Sequence, residues 1–259
     1  MKQELSIIKI GGNVIENNAE LSQFLKLFAQ SSGLKILVHG GGKKASEVLT
    51  KMGIAPKMVA GRRITDAESL EVITMVYGGL ANKNIVARLQ ANKCNAIGLS
   101  GADANIISAH MRPVETIDYG FAGDIDQVNT KTLSELLNIG LTPVFCALTH
   151  DGHGQLLNTN ADTIAAEVAI HMSKHYTTTL YYCFEKKGVL RDIKDENSVI
   201  PHIDHVSYTQ FLDQGIIADG MIPKINNCLD AVDRGVHKVC IGHHSMLDSK
   251  NEMYTTITG

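Results

Sequence analysis

The sequence predicts an α/β fold with a mainly parallel, open sheet, and three observations carry that prediction. Two glycine turns follow short apolar strands near the start, each turn opens a helix, and strand-like runs alternate with helix-like stripes thereafter. In the stretch from Lys35 to Lys44, Ile36, Leu37 and Val38 form a continuous apolar run, as in a strand covered on both faces, and His39 leads into Gly40-Gly41-Gly42. Ala45, Val48, Leu49 and Met52 then recur at helical spacing, with Gly53 placed to end the helix. The second copy is at the start of the chain. There Ile7, Ile8 and Ile10 make a strand interrupted only by Lys9, Gly11-Gly12 follow, and Leu21, Phe24, Leu25 and Phe28 supply a helix closed by Gly33. The unit from Ile7 to Val38 is expected to be right-handed and parallel, which brings both turns to the carboxyl edge of one sheet, where open α/β sheets bind ligands. Glycine lets backbone approach a ligand and a helix N-terminus presents unpaired N–H groups, so the edge suits an anion. One such turn could equally be a turn without a ligand; the second copy favours a site. A lysine inside a buried strand is costly unless its ammonium reaches a partner or a cavity, which makes Lys9 a candidate functional residue.

The chain has 259 residues, 44% hydrophobic and 20% charged, enough for one large α/β domain with two lobes and too apolar for disorder. A net charge of -3 without a basic block argues against nucleic acid and anionic membranes as partners. The five cysteines, Cys94, Cys146, Cys183, Cys228 and Cys240, are widely spaced in apolar segments and read as buried free thiols of a reducing compartment. No run approaches membrane-spanning length and no leader pattern precedes the first strand, so the expected location is cytoplasmic.

Pro56 to Ile64 reads as a loop carrying Gly61-Arg62-Arg63, and Thr65 with Glu68 as a capping box opening a long helix through Leu70, Ile73, Tyr77 and Leu80. Gly78-Gly79 inside it cost about 1 kcal/mol each relative to alanine, which predicts close packing against another backbone. Ala96–Leu99 is a short strand; Ile106-Ile107, Val114–Ile117 and Ile125–Val128 read as hairpins that could fold over a ligand site. A helix around Leu133 to Leu137, a strand from Pro143 to Leu148 and a turn at Asp151-Gly152 follow. Asn158-Thr159-Asn160-Ala161-Asp162 then enters a helix. Any one of these polar residues could be a cap, but three together exceed what a cap requires. Leu180–Phe184 is a buried strand ending in a third turn, Glu185-Lys186-Lys187-Gly188. A short helix starts at Tyr208, and Asp219-Gly220-Met221-Ile222-Pro223-Lys224 enters another before a strand at His237–Ile241.

Several chemistries lack their signatures. His39-Gly40-Gly41-Gly42 is similar to an oxyanion-hole string, but no Gly-x-Ser-x-Gly elbow accompanies it. Neither a P-loop nor a dinucleotide fingerprint is present. His150 with His153 and His202 with His205 have spacings a metal could use, yet nothing completes them, and no metal-ligating set is predicted.

In order and spacing, Ile8-Lys9-Ile10-Gly11-Gly12, Val38-His39-Gly40-Gly41-Gly42, Gly61-Arg62-Arg63-Ile64-Thr65, Asn82-Lys83, Asn158-Thr159-Asn160-Ala161-Asp162 and Asp219-Gly220-Met221-Ile222-Pro223-Lys224 resemble the amino-acid kinase superfamily. The arginine motif and the Asn-x-Asn-Ala-Asp run are similar to its acetylglutamate kinase branch, and the likeness runs from Ile7 to about Val239. It implies a three-layer αβα sandwich, with a lobe to about residue 175 for the acylated amino acid and a lobe from about 176 for ATP. Carried over, it implies Lys9 and Lys224 as transition-state stabilisers and Asp162 as the group orienting them. It further implies Gly41, Gly42, Arg63, Asn158 and Asn160 around the acylated amino acid, Gly11 and Gly12 at the transferred phosphoryl group, and Gly188, Asp219, Gly220 and Met221 along the nucleotide. The implied reaction is ATP-dependent phosphorylation of the side-chain carboxylate of N-acetyl-L-glutamate, in arginine biosynthesis. N-succinyl-L-glutamate, or a sister amino-acid or carbamate kinase, stands as the alternative. Mg²⁺ is expected to be held mainly by the nucleotide phosphates. A homodimer through the glycine-containing helix is expected too. Arginine-inhibited relatives carry an extra helix before the first strand, so the resemblance implies insensitivity to arginine.

The chemistry fits the residue types. A carboxylate with an unperturbed pKa of about 4.3 is already ionised at neutral pH and needs no general base. What remains is to bring one anion onto another and to stabilise a loose, charge-spread transition state, a task for ammonium groups and backbone N–H. Two segments depart from the family pattern, Phe184 to Gly188 and Tyr254 to Ile257, and both concern the nucleotide side.

Overall fold

The computed structural model describes residues 2–59, 61–218, 220–248 and 253–259. Strand β1 (Glu4–Ile10) runs down the middle of the molecule because its side chains alternate between two apolar cores. Leu5 and Ile7 enter one core, Ile8 and Ile10 the other. A short helix α1 (Gly12–Glu16) and the longer α2 (Asn18–Gln30) follow, the latter capped by Asn17, whose side chain accepts from the N–H groups of Ala19 and Glu20. Strand β2 (Leu34–His39) then pairs parallel to β1, and α3 (Gly42–Lys51) leaves from the glycine turn. Both expected strand-turn-helix units are therefore present and adjacent.

The Pro56–Ile64 region is not a plain loop, because β3 (Lys57–Val59) and β4 (Arg62–Ile64) pair antiparallel. The helix cap is displaced by one residue, and it is a single backbone hydrogen bond rather than a capping box. Asp66, not Thr65, caps α4 (Ala67–Ile73) by accepting from Ser69 N–H, while Thr65 bridges to Gly120. The helix continues as a π-helical stretch, Thr74–Ala81, before α5 (Asn82–Ala91). Its glycines do not meet another backbone within this chain: a methyl on Gly78 would touch only Leu148, and one on Gly79 nothing. Their place in a π-bulged helix follows from wider winding, which glycine tolerates.

After β5 (Ala96–Leu99), β6 (Ile107–Met111) and β7 (Gly123–Val128) form one hairpin, joined by β9 (Leu148–His150) and β10 (Leu156–Asn158) into a four-stranded sheet ordered β10-β9-β6-β7. Val114–Ile117 is bend and loop rather than strand, and Val114 is 65% exposed, so it lacks the buried face a strand there would need. Between the hairpin and β9 lie α6 (Thr130–Asn138) and β8 (Thr142–Cys146). The chain finishes with α7 (Ala161–Met172), β11 (Thr177–Cys183), β12 (His202–Ile203), α8 (His205–Asp213), α9 (Met221–Asp233), β13 (Lys238–Gly242) and β14 (Thr255–Ile257).

The main sheet has eight strands ordered β12-β14-β13-β11-β1-β2-β8-β5, and every pair in it is parallel except β13 with β14. Helices α3, α6, α7, α8 and α9 contribute to the core on one face; α2 and α5 cover the other with Phe24, Leu25, Phe28, Ile85 and Leu89. This is the expected αβα sandwich. Among the described residues no helix is long and apolar enough to cross a membrane.

Candidate active site

Parallel pairing fixes where the chemistry collects. β1 and β2 end side by side in Gly11-Gly12 and Gly40-Gly41-Gly42, and β11 ends beside β1 in Phe184-Glu185. These segments, with Lys9, Lys43, Ser46 and Arg63, wall a cleft of about 410 Å³. Lys43 bridges the two turns by donating to the Asn13 side chain. Gly41 cannot carry a side chain here, since a Cβ would lie 2.9 Å from the Tyr77 ring. That contact seats the glycine turn on the π-helical segment.

Lys9 resolves the problem posed by its strand position by reaching Asp162, with Nζ 2.7 Å from Oδ1. Asp162 stands in the first turn of α7, where the helix dipole favours a carboxylate, and the turn is fixed by Asn160, whose side chain accepts from Asp162 N–H (2.8 Å) and Thr163 N–H (3.2 Å). Burial alone would raise the Asp162 pKa, but the charge and hydrogen bond of Lys9 and the charge of Lys224 hold it below the usual carboxylate value.

Lys224, in the first turn of α9, lies with Nζ 4.4 Å from the centre of the Phe184 ring and 6.0 Å from that of Tyr182. Burial depresses its pKa, Asp162 opposes that shift, and Lys9 adds to it. The three groups therefore share one electrostatic neighbourhood. Only Lys9 touches the carboxylate, however; among the described residues Lys224 makes no ion pair with it, so Asp162 does not pair with both ammonium groups in this conformation.

On the other side of the glycine turns the cleft continues into a smaller cavity of about 160 Å³, lined by Gly40 to Gly42, Arg62, Arg63, Tyr77, Gly123 and the run from Asn158 to Ala161. Arg63 lines both spaces and is 6% exposed. Its Nη2 donates to the Gly42 carbonyl (2.9 Å) and to Ser46 Oγ (2.6 Å), while among the described residues its buried Nη1 has no hydrogen-bond partner. An unpaired buried guanidinium nitrogen beside a cavity is a place for an anionic oxygen. Asn158 donates from Nδ2 to the buried Thr65 Oγ1 (2.9 Å), which sets its side chain at the cavity wall.

Behind the glycine turn, fully buried His39 donates from Nδ1 to the Gly40 carbonyl (2.7 Å) and accepts at Nε2 from Asn82 Nδ2 (3.1 Å), which also donates to the Val144 carbonyl (2.9 Å). Burial pushes the His39 pKa down to about 4, so the imidazole is neutral at physiological pH and acts as a brace.

The predicted nucleotide residues fare unevenly. Gly188 is buried, and a Cβ there would collide with Val199 and Thr255 at 2.7 and 2.8 Å; its lack of a side chain serves packing, and it lines neither cavity. Gly220 and Met221 open α9 without lining them either. Asp219 lies outside the described residues. A third cavity of about 370 Å³ is lined by Glu185, Lys186, Lys187, Glu196, His243, Ser245 and Met253, and Glu185 links it to the main cleft.

Sequence reasoning missed Tyr77, Tyr182 and Phe184. Tyr182 donates its hydroxyl to the Asp162 carbonyl (3.0 Å), tying β11 to the first turn of α7. An aromatic in an apolar run gives no sign of such a role.

The model of the amino acid kinase family matches residues 4–243. An acetylglutamate kinase of Bacteroides fragilis is 54% identical over 241 residues, 93% of this chain and 92% of that one. An acetylglutamate kinase of Cytophaga hutchinsonii is 53% identical over 258 residues, 99% and 98% of the two chains. Among solved structures, an N-acetylglutamate synthase of Neisseria gonorrhoeae complexed with coenzyme A and N-acetyl-glutamate superposes with a TM-score of 0.81 at 21% identity, over 99% of this chain and 59% of that one.

Proposed function

The chain belongs to the amino acid kinase family, and from that premise we propose that it transfers the γ-phosphoryl group of ATP to the side-chain carboxylate of N-acetyl-L-glutamate, giving N-acetyl-L-glutamyl 5-phosphate for arginine biosynthesis. The observation that carries this reading is the Lys9–Asp162 pair, with the Lys224 charge acting on it, beside a cleft lined by Lys9, two glycine turns and Arg63, whose Nη1 has no hydrogen-bond partner among the described residues.

The acylated amino acid occupies the smaller cavity. Arg63 Nη1 receives its α-carboxylate, Asn158 and Asn160 flank it, and Gly41 and Gly42 let its γ-carboxylate reach the main cleft. The triphosphate enters from the side of Glu185 to Lys187, whose turn borders both the cleft and the third cavity. Gly220 and Met221 stand in the turn that delivers Lys224. The γ-carboxylate attacks phosphorus in line, the bond to the bridging oxygen breaks, and ADP leaves with the electron pair. Lys9 neutralises charge on the equatorial oxygens from one side and the backbone N–H of Gly12 covers them, while that of Gly11 is given to the Cys183 carbonyl (3.3 Å) and holds the turn in place. Lys224, which lies with Nζ 4.4 Å from the centre of the Phe184 ring at the cleft wall, completes the set on reaching the phosphoryl group, with the Asp162 charge directing both ammonium groups. Mg²⁺ bound to the ATP phosphates supplies further charge neutralisation, and a cleft of ammonium and backbone N–H donors fits an ion held by nucleotide and water.

The exposed part of the helix from Ala67 to Ala91, with Met75 56% and Leu80 48% exposed, supports a homodimer through that face. Five free, buried cysteines support a reducing, cytoplasmic setting.

Coupled ADP release is the test, run in parallel with N-acetyl-L-glutamate, N-succinyl-L-glutamate, aspartate and carbamate. Turnover that is fastest with N-acetyl-L-glutamate is expected. No turnover with it, alongside turnover with another acceptor, refutes the assignment.

A further inference from the structure

Away from the reaction cleft, α2 meets the turn after β13. Glu20 stands in the first turn of α2, and His243 and His244 follow β13 directly, His243 capping a short 3₁₀ turn over His244–Leu247. Glu20 Oε2 lies 3.6 Å from His243 Nε2 and 3.5 Å from His244 Nδ1, and the two imidazole rings are 4.0 Å apart between centroids. Among the described residues this is the one group of three metal-type ligands whose donor atoms all lie within 4.8 Å of one another.

We propose that Glu20, His243 and His244 bind a divalent transition-metal ion of the zinc type, which staples α2 to the turn after β13. Three observations support it. The separations of 3.5 and 3.6 Å are too long for good charge-assisted hydrogen bonds, but donors on a tetrahedron with bonds of about 2.0–2.1 Å stand roughly 3.4 Å apart. Next, His244 is fully buried and neither of its ring nitrogens has a hydrogen-bond partner among the described residues. A buried orphan of that kind calls for an explanation, and an ion on Nδ1 supplies a partner. Finally, His243 Nδ1 lies 3.0 Å from Ser245 Oγ, so an Nδ1–H can donate to the hydroxyl and leave the Nε2 lone pair facing Glu20. The longer contact from Ser245 N–H (3.3 Å) belongs to the other tautomer, whose Nε2 proton points at Glu20 and must leave when metal binds. Two imidazoles and one carboxylate select zinc, cobalt or nickel over magnesium or calcium, and leave a fourth position for water. None of the other histidine pairs is so placed: His205 pairs with Asp233 at 2.9 Å and His202 contacts Thr258 Oγ1.

The site would join residues distant in sequence. α2 begins shortly after the glycine turn of β1, and the β13 turn reaches the third cavity through His243. An ion there resists separation of α2 from the β13 edge of the sheet without touching the reacting groups.

The test uses the full-length chain without a histidine tag, stripped by chelator and titrated with Zn²⁺ and with Co²⁺. Expected are one equivalent per chain by calorimetry, visible d–d absorption of four-coordinate Co²⁺, and a rise in Tm with Zn²⁺. Glu20→Gln and His244→Asn should each weaken binding at least tenfold. His244→Phe, which keeps an aromatic ring in the buried position beside Phe24, should fold and lose the Co²⁺ spectrum entirely, separating loss of metal from loss of fold. His205→Gln should change nothing. Absence of stoichiometric binding, an octahedral Co²⁺ spectrum, or binding retained in both Glu20→Gln and His244→Phe overturns the proposal.

Discussion

At the scale of single residues, Arg63 shows why a residue type matters more than its charge. One arm of its fork is already engaged by Gly42 O and Ser46 Oγ, so the guanidinium is held rigid while Nη1 stays open. Arg63→Lys replaces that fork by one ammonium, which cannot serve both the protein and an incoming carboxylate. The expected result is a rise in KM for N-acetyl-L-glutamate that lowers kcat/KM about 100-fold, or roughly 3 kcal/mol, with the KM for ATP unchanged. Equal losses in both substrates would show that Arg63 acts elsewhere. Lys224 gives a second prediction at this scale. Burial lowers its pKa from 10.5, so its ammonium is lost at a lower pH than that of an ordinary lysine. With the cationic Lys224 as the active form in the proposed mechanism, kcat/KM, which reports the free enzyme, should fall on an alkaline limb below pH 10.5, and the limb should vanish in Lys224→Arg. A wild-type limb at or above the ordinary lysine value would contradict this role. Lys9 stood out in the sequence because a lysine inside an apolar strand is costly, and Asp162 because three polar residues at a helix entry exceed a cap, whereas the role of Arg63 came only from the family resemblance. Tyr182, which anchors Asp162 through its carbonyl, was not legible, since an aromatic in a buried strand looks the same whether or not its hydroxyl has a task.

At the scale of elements, the strands and helices of the main sheet were readable because their period and their glycine stops agree. The parts over the smaller cavity were less so. The Lys57–Ile64 hairpin has three-residue strands, too short to show alternation, and Val114–Ile117 has β-branched residues but no face to bury. What organises that region is a tertiary contact, the bridge between Thr65 and Gly120, which no local pattern announces. Gly120 has φ +63, and a Cβ on it would stand 2.3 Å from the Thr65 carbonyl oxygen. Gly120→Ala must therefore break the bridge or strain it, at about 2–3 kcal/mol. Because Thr65 also accepts from Asn158, the loosened segment should first disturb the smaller cavity, to which the acylated amino acid is proposed to bind. Urea unfolding should register the lost stability, and steady-state assays a higher KM for N-acetyl-L-glutamate. Unchanged stability would mean that the bridge carries no load. The π-helical stretch, by contrast, was visible only as Gly78-Gly79, and the close backbone packing expected there is not met among the described residues of one chain.

At the scale of the whole molecule, one sheet links the two halves, since β1 pairs with β2 on one side and β11 on the other. Lys9 thus belongs to the strand both halves share, and the cleft residues named above come from one chain. The π-helical face asks for a cover: Met75, Leu80 and Gly79 are exposed together on it. Gly79 makes this testable through the sign of an effect. Within one chain a methyl on Gly79 meets nothing within 4 Å, so Gly79→Ala should raise stability by up to about 1 kcal/mol through helix propensity alone. If two copies cross at that glycine, the same methyl separates the helices, and association weakens while the isolated chain grows more stable. Sedimentation of the wild type should give twice the mass of one chain, Leu80→Glu should give one chain, and Gly79→Ala should shift the equilibrium toward the single chain. ADP release by the Leu80→Glu monomer should persist, because Leu80 lines neither the cleft nor the smaller cavity. A wild type that sediments as one chain removes the dimer, and in that case Gly79→Ala can only stabilise.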